Sequence, residues 1–366
     1  MFIRNCWYVA GWDQELAPGA LLSIKIIDDP ILVYRTDDGD LVAMEDRCCH
    51  RLAPLSLGRL EDGCNIRCMY HGLKFDPFGR CVEIPGQDTI PSTARVRTYP
   101  VVGKHSWIWV WMGDPSLADE ALIPPAVGYD DPRYILRHGN IDYAANYQLI
   151  NDNLTDFSHL SYVHANSFGS TELWARIRPL IKVIDRGIRV TRWVGPEDQA
   201  LKPDAPATKR VPDITGPTAL FSTYDYLVPG VLLMYSAIYR AQDMPEDRVS
   251  WPDAEPIAAN FTSQALTPMS ETETRYFFSW GPRSVEGTPE MADGMFKVAQ
   301  MAFAEDKDMI EAQQRIINLK PGNEVLTTAD VGPVQMRAVI RKMIKAENGD
   351  MAGAPDATPA VLDAVS

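Results

Sequence analysis

Residues 45–56 read EDRCCHRLAPLS, and residues 67–72 read RCMYHG. Cys48 and His50 form a C-x-H pair, Cys68 and His71 form a C-x₂-H pair, and 17 residues separate the two. Each pair is short enough to sit on one loop, so the loops must meet if all four side chains serve one site. The flanking sequence suits loops carried on short strands. Segments at 21–27, 31–35 and 41–45 are β-branched or alternating, and Asp28-Asp29-Pro30 and Asp37-Asp38-Gly39-Asp40 punctuate them as turns. Residues 71–75, the turn Asp76-Pro77-Phe78-Gly79 and residues 80–84 read as a hairpin, while Gly72 and Pro54 fit tight loops beside the two pairs. Residues 106–112, SWIWVWM, read as an apolar strand in which Trp107, Trp109 and Trp111 alternate as a core face. Residues 1–115 are therefore read as one β-rich domain.

Two thiolates and two neutral imidazoles are the donor set of a Rieske-type [2Fe–2S] cluster, with the thiolates on one iron and the imidazoles on the other. Replacing two anionic ligands by neutral ones raises the reduction potential, which suits an electron relay. A structural Cys₂His₂ zinc site is the alternative. A zinc finger, however, groups its cysteines together and its histidines together, and here the two types alternate. The remaining Cys6, Cys49, Cys64 and Cys81 are expected to be buried thiols. Six cysteines are too sparse for a disulfide scaffold, and four of them, Cys48, Cys49, Cys64 and Cys68, lie close together. That clustering points to a metal in a reducing, cytoplasmic compartment.

A second constellation is NDNLTDFSHLSYVH, residues 151–164. An O₂-activating non-haem iron typically uses two histidines and one carboxylate on one face, leaving positions open. His159 and His164 are the evident pair. Five residues rotate by about 500° on a regular helix, so the two imidazoles would not align. The helix suggested by this stretch must therefore end or bulge near residues 161–163. An acidic third ligand is expected from FAEDKDM, residues 303–309, where Asp306 is the choice and Glu305 and Asp308 are its rivals. The chain has six histidines. Four, His50, His71, His159 and His164, fall in the two candidate metal sites, and the isolated His105 and His138 are read as structural.

Residues 116–135 are Pro- and Asp-rich and open a second domain, 116–348, as a linker. Residues 176–284 are strand-like, and 196–217 read as a long proline-rich surface loop. Helical spacing of Met295, Val298, Met301, Ala302, Met309, Ile310 and Gln313 predicts a helix over 289–319. A second helix follows at 334–346, with Pro333 at its start. The Ala/Pro/Asp-rich tail, 349–366, is expected to be disordered. A net charge of −14 and a pI near 4.9 argue against nucleic-acid binding and leave open a docking surface for a basic electron-transfer partner. The start, MFIRNCWYVAGW, reads as a first strand and not a signal peptide, and no apolar run is long enough to span a membrane.

The combination C-x-H, 17 residues, C-x₂-H-G, then D-x₂-H-x₄-H resembles the Rieske non-haem iron oxygenases, from Asn5-Cys6-Trp7-Tyr8-Val9-Ala10 to the C-terminal helix. Within that family the chain is similar to oxygenase components of the vanillate and dicamba O-demethylase type. The similarity lies in Asp152-Asn153-Leu154-Thr155-Asp156, in Tyr162-Val163-His164-Ala165 and in WVWMGDP at 109–115. Phe157-Ser158-His159 and Phe303-Ala304-Glu305-Asp306-Lys307 also resemble the family's N-demethylases.

The resemblance implies an α+β fold: a β-rich Rieske domain, then a helix-grip domain whose antiparallel sheet holds iron under a long helix. It implies Cys48, His50, Cys68 and His71 as cluster ligands, and His159, His164 and Asp306 as ligands of a mononuclear Fe(II). Asn153 would lie close to that iron. Asp156 would bridge, across a subunit boundary in a head-to-tail homotrimer, to the neighbour's cluster histidine. The implied activity is a monooxygenase that takes O₂ and electrons from NAD(P)H through a separate flavin/iron–sulfur reductase. The substrate would be a small aromatic, foremost a methoxylated one demethylated with release of formaldehyde. Ring hydroxylation, diaryl-ether cleavage and N-demethylation by the same irons are alternatives. A non-catalytic Rieske electron carrier is a more remote one, because the chain runs far past residue 115. No histidine follows His164, so any substrate carboxylate must be held by another group. Arg240 and Arg248 are candidates, although arginines more often make surface ion pairs.

Overall fold

The computed structural model describes residues 1–202 and 216–349, so the tail from residue 350 and the middle of the expected proline-rich loop lie outside the described residues. Two compact units are present: Met1–Ile123 with Thr267–Glu271, and Pro124–Leu266 with Thr272–Ser366.

The first unit is built from short antiparallel strands in three sheets. Trp107–Trp111 is central in one, between Trp7–Trp12 and Val101–Lys104. Its three tryptophans are core, as their alternation predicts: Trp107 and Trp109 meet edge to face at 5.4 Å, and Trp7 meets Trp111 at 5.5 Å. A second sheet orders Leu21–Ile26, Asp29–Arg35, Leu41–Glu45 and Thr98–Tyr99. The third, of Arg59–Glu61, Asn65–Arg67, Lys74–Phe75 and Cys81–Glu83, contains the expected hairpin. Leu32, Tyr34, Met44, Leu55, Ile66 and Phe75 form a core that also takes in Cys48 and Cys68.

The second unit is a seven-stranded antiparallel sheet. Its order is Arg137–Tyr143, Glu273–Pro282, Ala258–Ser270, Val231–Arg240, Thr218–Leu227, Gly187–Val194 and Leu180–Ile184. Three helices accompany it: α1 (Tyr147–Thr155), α2 (Pro289–Leu319) and α3 (Val331–Glu347). Helix α2 has the predicted bounds and lies along the strands Arg137–Tyr143 and Glu273–Pro282. Thr288 caps it through Met291 N–H, and a proline fills the first turn, where no N–H partner is needed. Its buried stripe is Ala292, Met295, Ala299, Ala302, Asp306, Ile310 and Gln314. Met301 and Met309, expected on that stripe, are exposed, because the sheet is met one helical position away. Helix α3 starts earlier than expected, with Pro333 inside its first turn. It packs on α1 at Gly332, where a Cβ would stand 2.3 Å from the Thr155 carbonyl oxygen.

The largest departure from expectation concerns the histidine stretch. Helix α1 ends at Thr155, not near residues 161–163. Asp156 adopts extended dihedrals, and its carboxylate accepts from Ser158 N–H, which caps a separate 3₁₀ turn over Phe157–Ser161. A side chain that caps a new turn competes with continuation of the old helix. His159 sits on that turn, and His164 sits in the irregular turns that follow.

Candidate metal centres

The two Cys/His loops share one backbone pattern. Cys48 N–H donates to Ala53 O at 2.8 Å, and Leu52 N–H donates to Cys48 O at 3.0 Å. Cys68 N–H donates to Leu73 O at 2.8 Å, and Gly72 N–H donates to Cys68 O at 2.9 Å. Each loop needs a left-handed residue four positions after its cysteine: Gly72 at φ 78° in one, and Leu52 at φ 59° in the other. The Cys48 and Cys68 side chains are buried, and the His50 and His71 rings are exposed, 4.5 Å apart at 71°. Burial pushes the Cys48 thiol up to about 12, with the adjacent Cys68 adding to the effect.

Polar anchors hold both loops. Asp46, before the first loop, accepts from Ser56 N–H at 2.7 Å, from Ser56 Oγ at 2.6 Å and from Ser23 Oγ at 2.8 Å. Arg67, before the second, donates to Gly72 O at 2.7 Å and forks onto Glu83 at 2.7 and 3.0 Å. Neither anchor was expected from the sequence. Leu52, Met69 and Tyr70 stand exposed beside the imidazoles. Of the other cysteines, Cys6 and Cys81 are buried as expected, Cys64 is half-buried, and Cys49 is exposed because it points away from the core that takes Cys48.

In the second unit, donor atoms of His159, His164 and Asp306 all lie within 4.8 Å of one another. Asp306 Oδ1 is 3.2 Å from His164 Nε2 and 3.6 Å from His159 Nε2. Each imidazole is oriented from behind. His159 Nδ1 lies 2.6 Å from the main-chain oxygen of Asp156, and His164 Nδ1 lies 2.8 Å from Glu305 Oε2. Ser167 Oγ donates to that same Oε2 at 2.6 Å. Asn153, on α1, donates to Asp306 Oδ1 at 3.0 Å and stands 3.4 Å from His159 Nε2. Glu305, a rival for the carboxylate position, thus faces the back of His164. Asp308 does not join the group.

Burial lowers the His159 pKa, against the attraction of Asp306. Burial acts the same way on His164, but hydrogen bonds and charge from Asp306 and Glu305 outweigh it and raise its pKa. Two imidazoles and a carboxylate on one side, with other positions free, are the donor set for a non-haem iron that binds further ligands. Imidazoles with hydrogen-bonded Nδ1 atoms match the outer shell such ligands require.

A cavity of about 660 Å³ reaches all three side chains. Phe157, Phe168, Trp174, Trp280 and Phe303 give it aromatic walls. Its lining comes from the sheet, from α2 and from the described ends of the 196–217 stretch, at Pro196, Gln199, Ala200, Leu201, Gly216 and Pro217. Neither arginine expected for a carboxylate lines it. Arg248 pairs with Glu197 and Asp198, and Arg240 is exposed at a strand end. His138 pairs with the Tyr129 hydroxyl, and His105 sits in a turn at φ 56°.

A two-loop Cys/His unit joined to a helix-grip unit with a two-histidine, one-carboxylate pocket defines an iron-dependent oxygenase with its own electron relay. The profile of the Rieske [2Fe-2S] domain matches residues 6–100, and that of the vanillate O-demethylase oxygenase C-terminal domain matches residues 143–346. The chain belongs to this family of Rieske non-haem iron monooxygenases, which carry a [2Fe–2S] cluster and a mononuclear iron. It is 37% identical to the toluene-4-sulfonate monooxygenase system iron-sulfur subunit of Comamonas testosteroni, covering 96% of this chain and 100% of that one. It is 35% identical to the dicamba O-demethylase oxygenase component of Stenotrophomonas maltophilia, covering 86% and 88%. The crystal structure of dicamba monooxygenase bound to dicamba superposes with a TM-score of 0.80 at 30% identity, covering 95% of this chain and 99% of that one. Among the described residues no helix is long and apolar enough to cross a membrane.

Proposed function

We propose that this oxygenase demethylates a methoxylated aromatic compound in the cytoplasm, with electrons from NAD(P)H delivered by a separate flavin/iron–sulfur reductase. The balanced reaction is ArOCH₃ + O₂ + 2e⁻ + 2H⁺ → ArOH + HCHO + H₂O. The observation that carries this reading is the aromatic-walled cavity that reaches His159, His164 and Asp306. In this reading Cys48, His50, Cys68 and His71 hold the cluster, and His159, His164 and Asp306 hold the iron. When bound, the cluster supplies single electrons and the iron supplies O₂ activation.

The chain's own residues do the rest. Phe157, Phe168 and Trp280 exclude water and present a flat ring toward the histidine pair. Asn153 keeps the Asp306 carboxylate turned inward through its 3.0 Å hydrogen bond. Glu305 and the Asp156 carbonyl fix the Nδ1–H tautomers, so that both Nε2 atoms face the site. The carboxylate of Asp156 accepts only from Ser158 among the described residues, which leaves it lone pairs for a donor outside this chain. That donor is the cluster histidine of a neighbouring subunit in a head-to-tail homotrimer. The exposed Leu52, Met69 and Tyr70 around His50 and His71 supply apolar surface for such a contact.

A second reading, oxidation without ether cleavage, is favoured by the 37% identity to the toluene-4-sulfonate monooxygenase subunit, whose named substrate has no methoxy group. Substrate-dependent O₂ uptake with a surrogate reductase tests both. Formaldehyde and a phenol from methoxybenzoates or methoxyphenols support demethylation. Uptake without formaldehyde from methyl-substituted arenes, and none from methoxyarenes, overturns it.

A further inference from the structure

The cavity is longer than a single ring needs. Helix α2 lines it with Met291, Met295, Ala299, Phe303 and Asp306. Steps of four, four, four and three residues keep these side chains on one helix face. From Met291 to Asp306 that face runs for roughly 22 Å, given the rise of an α-helix. From the sheet, Ala258, Asn260, Thr262 and Gln264 line the cavity as alternate residues of one strand, a run of roughly 20 Å.

The two ends differ in chemistry. The Tyr276 ring packs on Phe303 at 5.0 Å, and its hydroxyl donates to Gln264 Oε1 at 2.5 Å, so Gln264 belongs to the end that holds Asp306 and the two histidines. At the other end Glu286, in the turn before α2, accepts from Ala259 N–H at 2.7 Å and from Arg283 Nε at 2.9 Å. That places Ala258 beside the start of the helix. Strand register sets Ala258 against Ile238, and Ile238 against Leu220. With Met291 and Met295, these side chains make the far end apolar, and the carboxylate there, Glu286, is already paired. Ser222, Ser236 and Asn260 form a polar row between the two ends. An unfilled apolar end forfeits packing contacts, and flexible thioethers adapt to whatever fills it.

We infer that the substrate carries two aromatic rings in line. The methoxylated ring lies at the Asp306 end, and a second, uncharged ring lies over Leu220, Ile238 and Ala258 and against Met291 and Met295. This rests on the cavity being the substrate site, as proposed above. A single methoxylated ring spans roughly 8 Å at ordinary bond lengths, so alone it leaves most of the α2 face uncovered. The cavity volume of about 660 Å³ falls in the range that encloses a whole drug-sized ligand.

Equilibrium binding to the metal-loaded protein tests the inference with anisole, 4-methoxybiphenyl and its bent isomer 2-methoxybiphenyl. The linear ligand should bind about 30-fold or more tightly than anisole, because its second ring takes further apolar surface out of water. It should bind about tenfold or more tightly than the bent isomer, which has a similar apolar surface but cannot lie along α2. Ala299→Phe sets a ring across the helix face between Phe303 and Met295. It should cut the preference for the linear ligand over anisole to about threefold or less, with both metals retained. Ile238→Phe obstructs the far end from the sheet and should do the same even if the α2 variant does not fold. Equal binding of the two methoxybiphenyls by the wild type overturns the inference, as does a preference over anisole that survives both variants. Formaldehyde release from anisole without a binding gain for the linear ligand would retire the second ring and leave the proposed function standing. Selective binding of the linear ligand without formaldehyde from any methoxyarene would do the reverse.

Discussion

Glu305 and His164 are joined through the back of the imidazole: Nδ1 lies 2.8 Å from Glu305 Oε2, while Nε2 turns to Asp306, the next residue of α2, at 3.2 Å. One turn of helix thus supplies the proposed carboxylate ligand and the group that orients its histidine partner. Glu305→Ala should lower affinity for the mononuclear iron by about 10- to 100-fold and leave the cluster intact. Iron titration checks it, with the visible spectrum of the cluster as the internal control. Glu305→Gln retains an acceptor and should lose less.

Asp156 meets His159 through its main-chain oxygen, while its carboxylate accepts from Ser158 and keeps further lone pairs. The substitution Asp156→Asn therefore keeps the His159 contact. Both metals should be retained, while turnover falls by about 100-fold or more if the carboxylate orders the path from the neighbour's cluster. Rapid-mixing measurement of cluster reoxidation separates this from a loss of substrate binding. Normal turnover in the variant rejects the bridge.

The paired loops respond oppositely to substitution at equivalent positions. Gly72→Ala forces a side chain into the left-handed region, with its Cβ 2.7 Å from Pro85 Cγ, and should cost about 1–3 kcal/mol with loss of cluster. Leu52→Gly removes a left-handed strain of about 1–2 kcal/mol but adds roughly 0.5–1 kcal/mol of unfolded-chain entropy. It should leave stability nearly unchanged or slightly raised. Thermal denaturation of the holoprotein, with sulfide content, compares the two.

Much of this was legible in the sequence because spacing along one chain reports local structure. The two Cys/His pairs, the tryptophan strand and the bounds of α2 all follow from short-range pattern. Asp306 had a signal that spacing alone left ambiguous: it occupies a buried stripe with Ala292, Met295, Ala299, Ala302, Ile310 and Gln314. A carboxylate there must be partnered, whereas Asp308 faces out. The break after Thr155 was misplaced because the cap at Asp156 competes locally with a helix that the apolar pattern would continue. Asp46, Arg67 and Arg337 were invisible because their partners lie on other strands or helices. Arg337, for example, clamps Asp152 from 185 positions away in the chain.

Metal and sulfide analysis of the purified protein, beside its Asp306→Ala variant, tests the central claim most directly. The wild type should contain about three irons and two acid-labile sulfides per chain. The variant should retain about two irons, both sulfides and an unchanged Rieske electron paramagnetic resonance signal, and should lose substrate oxidation. A wild type without labile sulfide, or an Asp306→Ala variant that keeps its full iron complement and its activity, contradicts the account.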